Sequence, residues 1–239
     1  MIGDHNVTAI IPARGGSKGI KGKNLRKVGR YSLLERAILL AQRSPDCVEN
    51  VIATTDDPKM YEISLRYNAA APELRPAHLS HDLTRSIDVL KYVIKLCGLE
   101  KDYILMLQPT SPLRNTTDLR AVIELFKSNM NRCDAVASVA ELTSTHPEKS
   151  QRIINDYLTP FVPGATSERP RQELLQAYRL NGAFYLTHAA TILRENTLLP
   201  KRTLPYIMPL ERSINLDHPW DMVLLEALLE KGRVEIEEY

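Results

Sequence analysis

Short runs rich in β-branched residues alternate with segments of helical period along the first 140 residues. This rhythm restricts the chain to a mostly parallel sheet covered by helices, an α/β fold of Rossmann-like type. The run "VTAII" (7–11) reads as the first strand, and "SLLERAILLAQRS" (32–44) as a helix opened by Ser32 and Glu35 in a capping box. "VIATT" (51–55) predicts a second strand that ends at Asp56-Asp57-Pro58, a helix start. In "SIDVLKYVIKLC" (86–97), Ile87, Leu90, Val93, Ile94 and Cys97 share one helical face. "YILMLQ" (103–108) has the unbroken apolar character of a central strand. The next helix and strand are predicted at 116–129 and 134–139.

From 140 to 176 the rhythm stops. This stretch is polar, carries Pro147, Pro160, Pro163 and Pro170, and shows no helical period. So long a structureless loop is uncommon inside a compact domain. We read it as an excursion that packs against another surface, such as a second subunit. Strand character returns in "RLNGAFYLTH" (179–188), and 213–232 predicts a short strand, a turn and a helix opened by Pro219. At 239 residues the whole fits one domain, 1–239, with 140–176 as an insertion. The formal charge of +2, with both signs interspersed, excludes a polycation. Three scattered cysteines without CxxC spacing argue against disulfides and zinc, and suit a reducing compartment. No apolar run approaches membrane-spanning length and no secretory signal opens the chain, so a cytoplasmic protein with no membrane partner is expected.

Directly after the first strand comes "IIPARGGSKGIKGKN" (10–24), in which four glycines and the cations Arg14, Lys18, Lys21 and Lys23 crowd together. Its spacing fits neither a Walker A loop nor GxGxxG. Glycines let backbone N–H groups approach phosphate oxygens, and the cations supply the charge that a triphosphate demands. The loop leaves a strand at its carboxyl end, where open α/β sheets bind ligands. A solvated turn accounts poorly for so much charge on one strand-anchored loop.

Two further constellations stand out. "LQPTSPLR" (107–114) follows the central strand, and its prolines fix a turn that carries Gln108, Thr110, Ser111 and Arg114. A plain helix-start turn is the alternative. In "NLDHPWD" (215–221), Asp217 ends the expected strand and Asp221 lies one turn onward. Each suits a helix N-cap. Together they also suit magnesium, a hard cation that takes one or two carboxylates plus nucleotide phosphates. Aromatic residues are few and not interleaved with basic ones, which disfavours a nucleic-acid surface.

Taken together, "ARGGSKGIKGKNL", "RPAHLSHD", "LQPTSPLR", "RLNGAFYL" and "SINLDHPWD" resemble the bacterial CMP-sialic acid synthetases, the acylneuraminate cytidylyltransferases, in order and spacing from residue 7 to about 230. The resemblance implies a homodimeric nucleotidyltransferase that transfers CMP from CTP to a nine-carbon α-keto acid sugar. By the same resemblance Ala13, Arg14, Gly15, Ser17, Lys18 and Lys23 belong to the phosphate loop, and Asn24, Arg75 and Ser86 to the nucleoside site. Gln108 falls at the junction of nucleotide and sugar. Lys149, Arg171 and Tyr185 fall around the sugar, some of them across the dimer, and Asn181 heads the stretch that shapes that pocket. Asp217 falls on one of two magnesium carboxylates. Arg14, Lys23, Gln108 and Asp217 are thus the expected catalytic set.

Two positions depart from the family pattern. Asn215 stands where the first carboxylate of an Asp-x-Asp pair is usual, so metal affinity falls unless Asp221 or a water compensates. Leu198 and Leu199 stand where sialic acid synthetases carry an aromatic pair beside the sugar, which points toward legionaminic or pseudaminic acid as acceptor. The competing expectations are a synthetase of the CMP-Kdo type and a CTP-binding protein whose catalysis is impaired at Asn215.

Overall fold

The structure, a computed structural model, describes residues 1–239. In chain order it holds strands β1 (Val7–Pro12), β2 (Lys27–Val28) and β3 (Tyr31–Ser32), helix α1 (Leu33–Gln42), β4 (Asn50–Thr54), helices α2 (Pro58–Arg66) and α3 (Ser86–Cys97), and β5 (Tyr103–Met106). There follow α4 (Thr116–Lys127), β6 (Ala135–Glu141), β7 (Gln151–Ile154), β8 (Tyr157–Pro160), β9 (Tyr178–His188), α5 (Ala189–Glu195), β10 (Thr203–Ile207) and α6 (Pro219–Glu230). No helix is long and apolar enough to cross a membrane.

Six strands form the main sheet in the order β10-β6-β9-β5-β1-β4. β1 runs parallel to β4 and β5, and β10 parallel to β6. β9 is the exception, antiparallel to both β5 and β6. Strand periodicity buries both faces. Val7, Ala9 and Ile11 of β1 point to one side, where α1, α2 and α4 supply Ile38, Met60 and Phe126. Ile10 points to the other, against Leu90 and Val93 of α3 and Ile192 of α5. Caps expected from the sequence are present, including the Ser32–Glu35 box on α1 and Pro219 at the first position of α6.

Two expectations change. Residues 213–217 form no strand. They run as an irregular segment whose Leu216 N–H donates to the Thr110 carbonyl at 2.8 Å, so the segment follows the turn after β5 and not a sheet edge. The excursion at 140–176 is not wholly irregular either. It contains the β7–β8 hairpin, turned by Asn155 and Asp156, both at positive φ, the geometry of a tight two-residue hairpin.

The 210–217 segment matters because it carries Asn215 and Asp217. Asp118 anchors it from α4, accepting from Arg212 Nη2 at 2.6 Å and from the Tyr206 hydroxyl at 3.0 Å. Burial, followed by the neighbouring Asp118, pushes the Tyr206 hydroxyl up to about 12. Arg179 of β9 adds a bond from Nη2 to the Ser213 carbonyl at 3.0 Å. Asp118→Ala should therefore leave Arg212 and Tyr206 without their shared acceptor and cost roughly 3 kcal/mol. Chemical denaturation against the parent protein measures this; a loss below about 0.5 kcal/mol, ordinary for surface positions, would show that Asp118 is not the anchor.

Candidate active site

An open cleft of about 320 Å³ lies over the carboxyl ends of β1 and β5 and the start of α3. β1 delivers Arg14, Lys23 and Asn24 through the glycine loop, α3 delivers Ser86 at its first position, and the turn after β5 delivers Gln108 and Thr110. Arg75 enters from the segment after α2, and Asn215 and Asp217 from the irregular segment before α6. Nine residues from five separate parts of the sequence therefore meet at one sheet edge. Ser17 and Lys18 line an adjoining groove that shares Arg14 with the cleft.

Close packing brings the two ends of the chain together here. Ile20 of the glycine loop lies in a satellite core with Ile214, Leu216 and Met222. At Gly19 a Cβ would collide with the backbone carbonyl of Asp217, so only glycine permits this approach. Lys23 Nζ then reaches Asp217 Oδ1 at 3.0 Å. A second close approach occurs at Gly182, φ +75°, beside the irregular pairing of β9 with β6. A Cβ there would sit 2.5 Å from Gln108 Oε1 and 3.4 Å from Asn215 Oδ1. Irregularities of this kind are frequent next to active sites, because they re-aim the chain.

Several expected site residues serve the scaffold instead. Asn181 is buried and fully occupied: Oδ1 accepts from Ser138 Oγ at 2.6 Å and the Ala183 N–H, while Nδ2 donates to Ser213 Oγ at 3.0 Å. It holds the strand irregularity together and does not line the cleft. Ser111 is buried and donates to the Asn181 carbonyl at 3.2 Å. Arg114, expected at the sheet edge, is buried and donates to the Ala183 carbonyl at 2.9 Å, with burial pushing its guanidinium down to about 10. Ala13 is buried and its N–H donates to the Thr54 carbonyl. Asp221 Oδ2 accepts the N–H groups of Asp217 at 2.8 Å and His218 at 2.6 Å, so from the third position of α6 it completes a capping box whose N-cap is His218.

The expected sugar residues lie elsewhere in the single chain. Lys149 and Arg171 line a separate hollow of about 330 Å³ in the excursion. Lys149 Nζ donates to the Arg169 carbonyl at 2.6 Å and to that of Ser167. Tyr185 is buried in the α3-side core, Leu198 packs against that core, and Leu199 is partly exposed; none lines the cleft.

Two acidic residues absent from the sequence expectations complete the site. Asp82 pairs with Arg14 and with Lys18, the latter at 2.5 Å. Asp56 Oδ1 accepts the Gly15 N–H at 3.0 Å and Arg75 Nη2 at 3.4 Å, joining the glycine loop to the Arg75 side of the cleft. Arg75 is otherwise fixed by Ser80 Oγ at 3.1 Å, and burial lowers its guanidinium below the usual range. The only sequence signal for Asp56 was its place at the end of the second strand, level with the glycine loop. Asp56→Ala should weaken CTP binding roughly ten-fold, the equivalent of about 1.4 kcal/mol. Asp56→Asn, which retains an acceptor for Gly15, should recover part of the loss in titration calorimetry; equal losses in both variants would mean that the Gly15 bond is not what matters.

The donor set also bears on a metal. No three His, Cys, Asp or Glu side chains converge anywhere in the chain. At the cleft, Asp217 supplies one carboxylate. Asn215 donates from Nδ2 to Asp217 Oδ2 at 2.6 Å and leaves its buried Oδ1 without a partner. One carboxylate and one spare amide oxygen fit magnesium, which completes its shell with phosphate oxygens and water.

Comparison with known proteins identifies the family and the fold. The family model described as "Cytidylyltransferase" matches residues 8–205. CMP-N,N'-diacetyllegionaminic acid synthase of Legionella pneumophila is 29% identical over 233 residues, covering 94% of this chain and 96% of the relative. N-acylneuraminate cytidylyltransferase of Escherichia coli O18:K1:H7 is 31% identical over 226 residues, covering 94% of this chain and 52% of the relative. The solved structure of CMP:2-keto-3-deoxy-manno-octonic acid synthetase complexed with CTP superimposes with a TM-score of 0.67 at 17% identity, covering 95% of this chain and 99% of that one, which shows a common fold. By its sequence, its fold and the family model that spans most of its length, this chain belongs to the cytidylyltransferase family.

Proposed function

We propose that this protein transfers CMP from CTP to the anomeric hydroxyl of a nonulosonic acid of the sialic, legionaminic or pseudaminic type, releasing pyrophosphate. The observation that carries the reading is the cleft in which Arg14 and Lys23 of the glycine loop converge with Arg75, Ser86, Gln108 and Asp217. Names of relatives that span nearly the whole chain support the acceptor class.

The reaction needs a placed nucleophile and a stabilised leaving group. Arg14 and Lys18 face the β- and γ-phosphates, where a planar bidentate donor and a point charge together neutralise the departing pyrophosphate. Arg75, buried and held by Asp56 and Ser80, presents a fixed guanidinium toward the nucleoside. Gln108, set over Gly182, lies between the nucleoside side and the open edge from which the acceptor approaches. The acceptor oxygen attacks the α-phosphorus, the bond to the β-phosphate bridge breaks, and the hydroxyl proton leaves to solvent in the open cleft. Most of the acceleration comes from orientation and electrostatics. Magnesium, held by Asp217 and the Asn215 amide oxygen, would compensate phosphate charge and lower the pKa of the attacking hydroxyl.

The excursion fits a homodimer. The β7–β8 hairpin exposes Ile153, Tyr157, Leu158 and Phe161. A lone hairpin of this kind is marginally stable in water and gains from a partner surface. A second subunit would also bring Lys149 and Arg171 toward a neighbouring cleft.

Pyrophosphate release with CTP and magnesium, tested with N-acetylneuraminate, legionaminate, pseudaminate and Kdo, examines the function directly. Turnover with one of the three nonulosonic acids is expected. Activity confined to Kdo would replace the acceptor class, and silence from folded, CTP-binding protein would favour the idle binding protein. The metal assignment has a separate readout. Asn215→Asp puts a second carboxylate beside Asp217 in place of an amide donor, so the variant should melt lower than its parent without metal and show the larger rise in Tm with magnesium. An unchanged magnesium response would remove position 215 from the metal site.

A further inference from the structure

Arg14 and Lys18, the two cations that face the outer phosphates, do not wait unpaired. Both are held by one carboxylate, Asp82, which lines the cleft and the adjoining groove. Lys18 first and Arg14 second keep that carboxyl below its ordinary range. Asp82 has no other polar partner. It lies on the connection between the short turn Ala77–Leu79 and α3, next to Leu83, which is 94% exposed. The side chain is thus tied to the site only through the two cations that a phosphate would claim.

We infer that Asp82 is an internal competitor for pyrophosphate: it occupies Arg14 and Lys18 in the free enzyme, yields them to the triphosphate, and reclaims them as pyrophosphate leaves. This rests on the reading of the glycine loop as the phosphate site. A triphosphate or pyrophosphate carries several negative charges against one on Asp82, so the ligand wins both cations when bound. On departure, the returning carboxylate again compensates the two neighbouring cations. The consequence has an unusual sign: removing an acidic residue from the lining should tighten the ligand and slow its escape.

The test compares parent and Asp82→Asn by titration calorimetry with inorganic pyrophosphate and with CTP, without acceptor. The variant keeps size and shape at an exposed position. Its dissociation constants should fall about three- to ten-fold, the scale of one or two exposed ion pairs. The difference should shrink at high salt, because exposed pairs are screened. In turnover, inhibition by added pyrophosphate should strengthen by a similar factor. Unchanged or weaker binding by Asp82→Asn, with normal binding by the parent, overturns the role given to Asp82 and leaves the phosphate reading intact. Failure of the parent to bind either ligand overturns the phosphate reading, and the inference with it.

Discussion

The site depends on a small apolar contact between residues that carry no chemistry themselves. Ile20, Ile214 and Leu216 pack together in the satellite core, and this contact draws the loop after the first strand onto the segment before the last helix. Gly19 lets the two backbones meet. Everything polar then follows from proximity: Lys23 reaches Asp217, Asn215 reaches Asp217, and the cations of the loop open toward Gln108. Burial of apolar side chains is non-directional, so it supplies the attraction while the absent Cβ of Gly19 supplies the fit.

A second layer fixes the floor. β9 runs against the direction of its neighbours, and at Gly182 it leaves regular pairing with β6. Ser138 and Asn181 satisfy the polar groups that the irregularity frees, with Phe184 N–H donating to Ser138 Oγ at 2.8 Å. Arg114 ties the turn after β5 to the same strand through the Ala183 carbonyl. Buried polar groups of this kind are costly when unpaired, so a fully bonded network fixes one conformation of the loop that carries Gln108. The charges at the cleft are matched by opposite ones: Asp56 meets Arg75, Asp82 meets both Arg14 and Lys18, and Asp217 meets Lys23.

Much of this was legible in the linear sequence. Strand and helix periods located the sheet, and the Ser32 box and Pro219 marked helix starts where they occur. The glycine loop stood out by its composition, and it does lie at the cleft. Side-chain direction was not legible. Asn181, Ser111, Arg114 and Asp221 are polar residues within or beside the motifs, and in this structure each is engaged by protein groups; a sequence cannot distinguish a side chain aimed at a ligand from one aimed at a carbonyl. The β7–β8 hairpin carried a signal in Asn155-Asp156, but its strands expose apolar residues on a polar background and so lack the usual alternation. Asp56 had no signal beyond its place at the end of the second strand, and Asp82 none beyond closing the RPAHLSHD stretch, because their partners are distant in the chain.

The sequence by itself determined the fold class and the family, since these rest on local periodicity and on ordered motifs. The tertiary structure alone decided which polar groups face the cleft. That choice depends on the direction of β9, on the irregularity at Gly182 and on the approach of Gly19 to Asp217. Each of these is a contact between segments whose separation along the chain hides their separation in space.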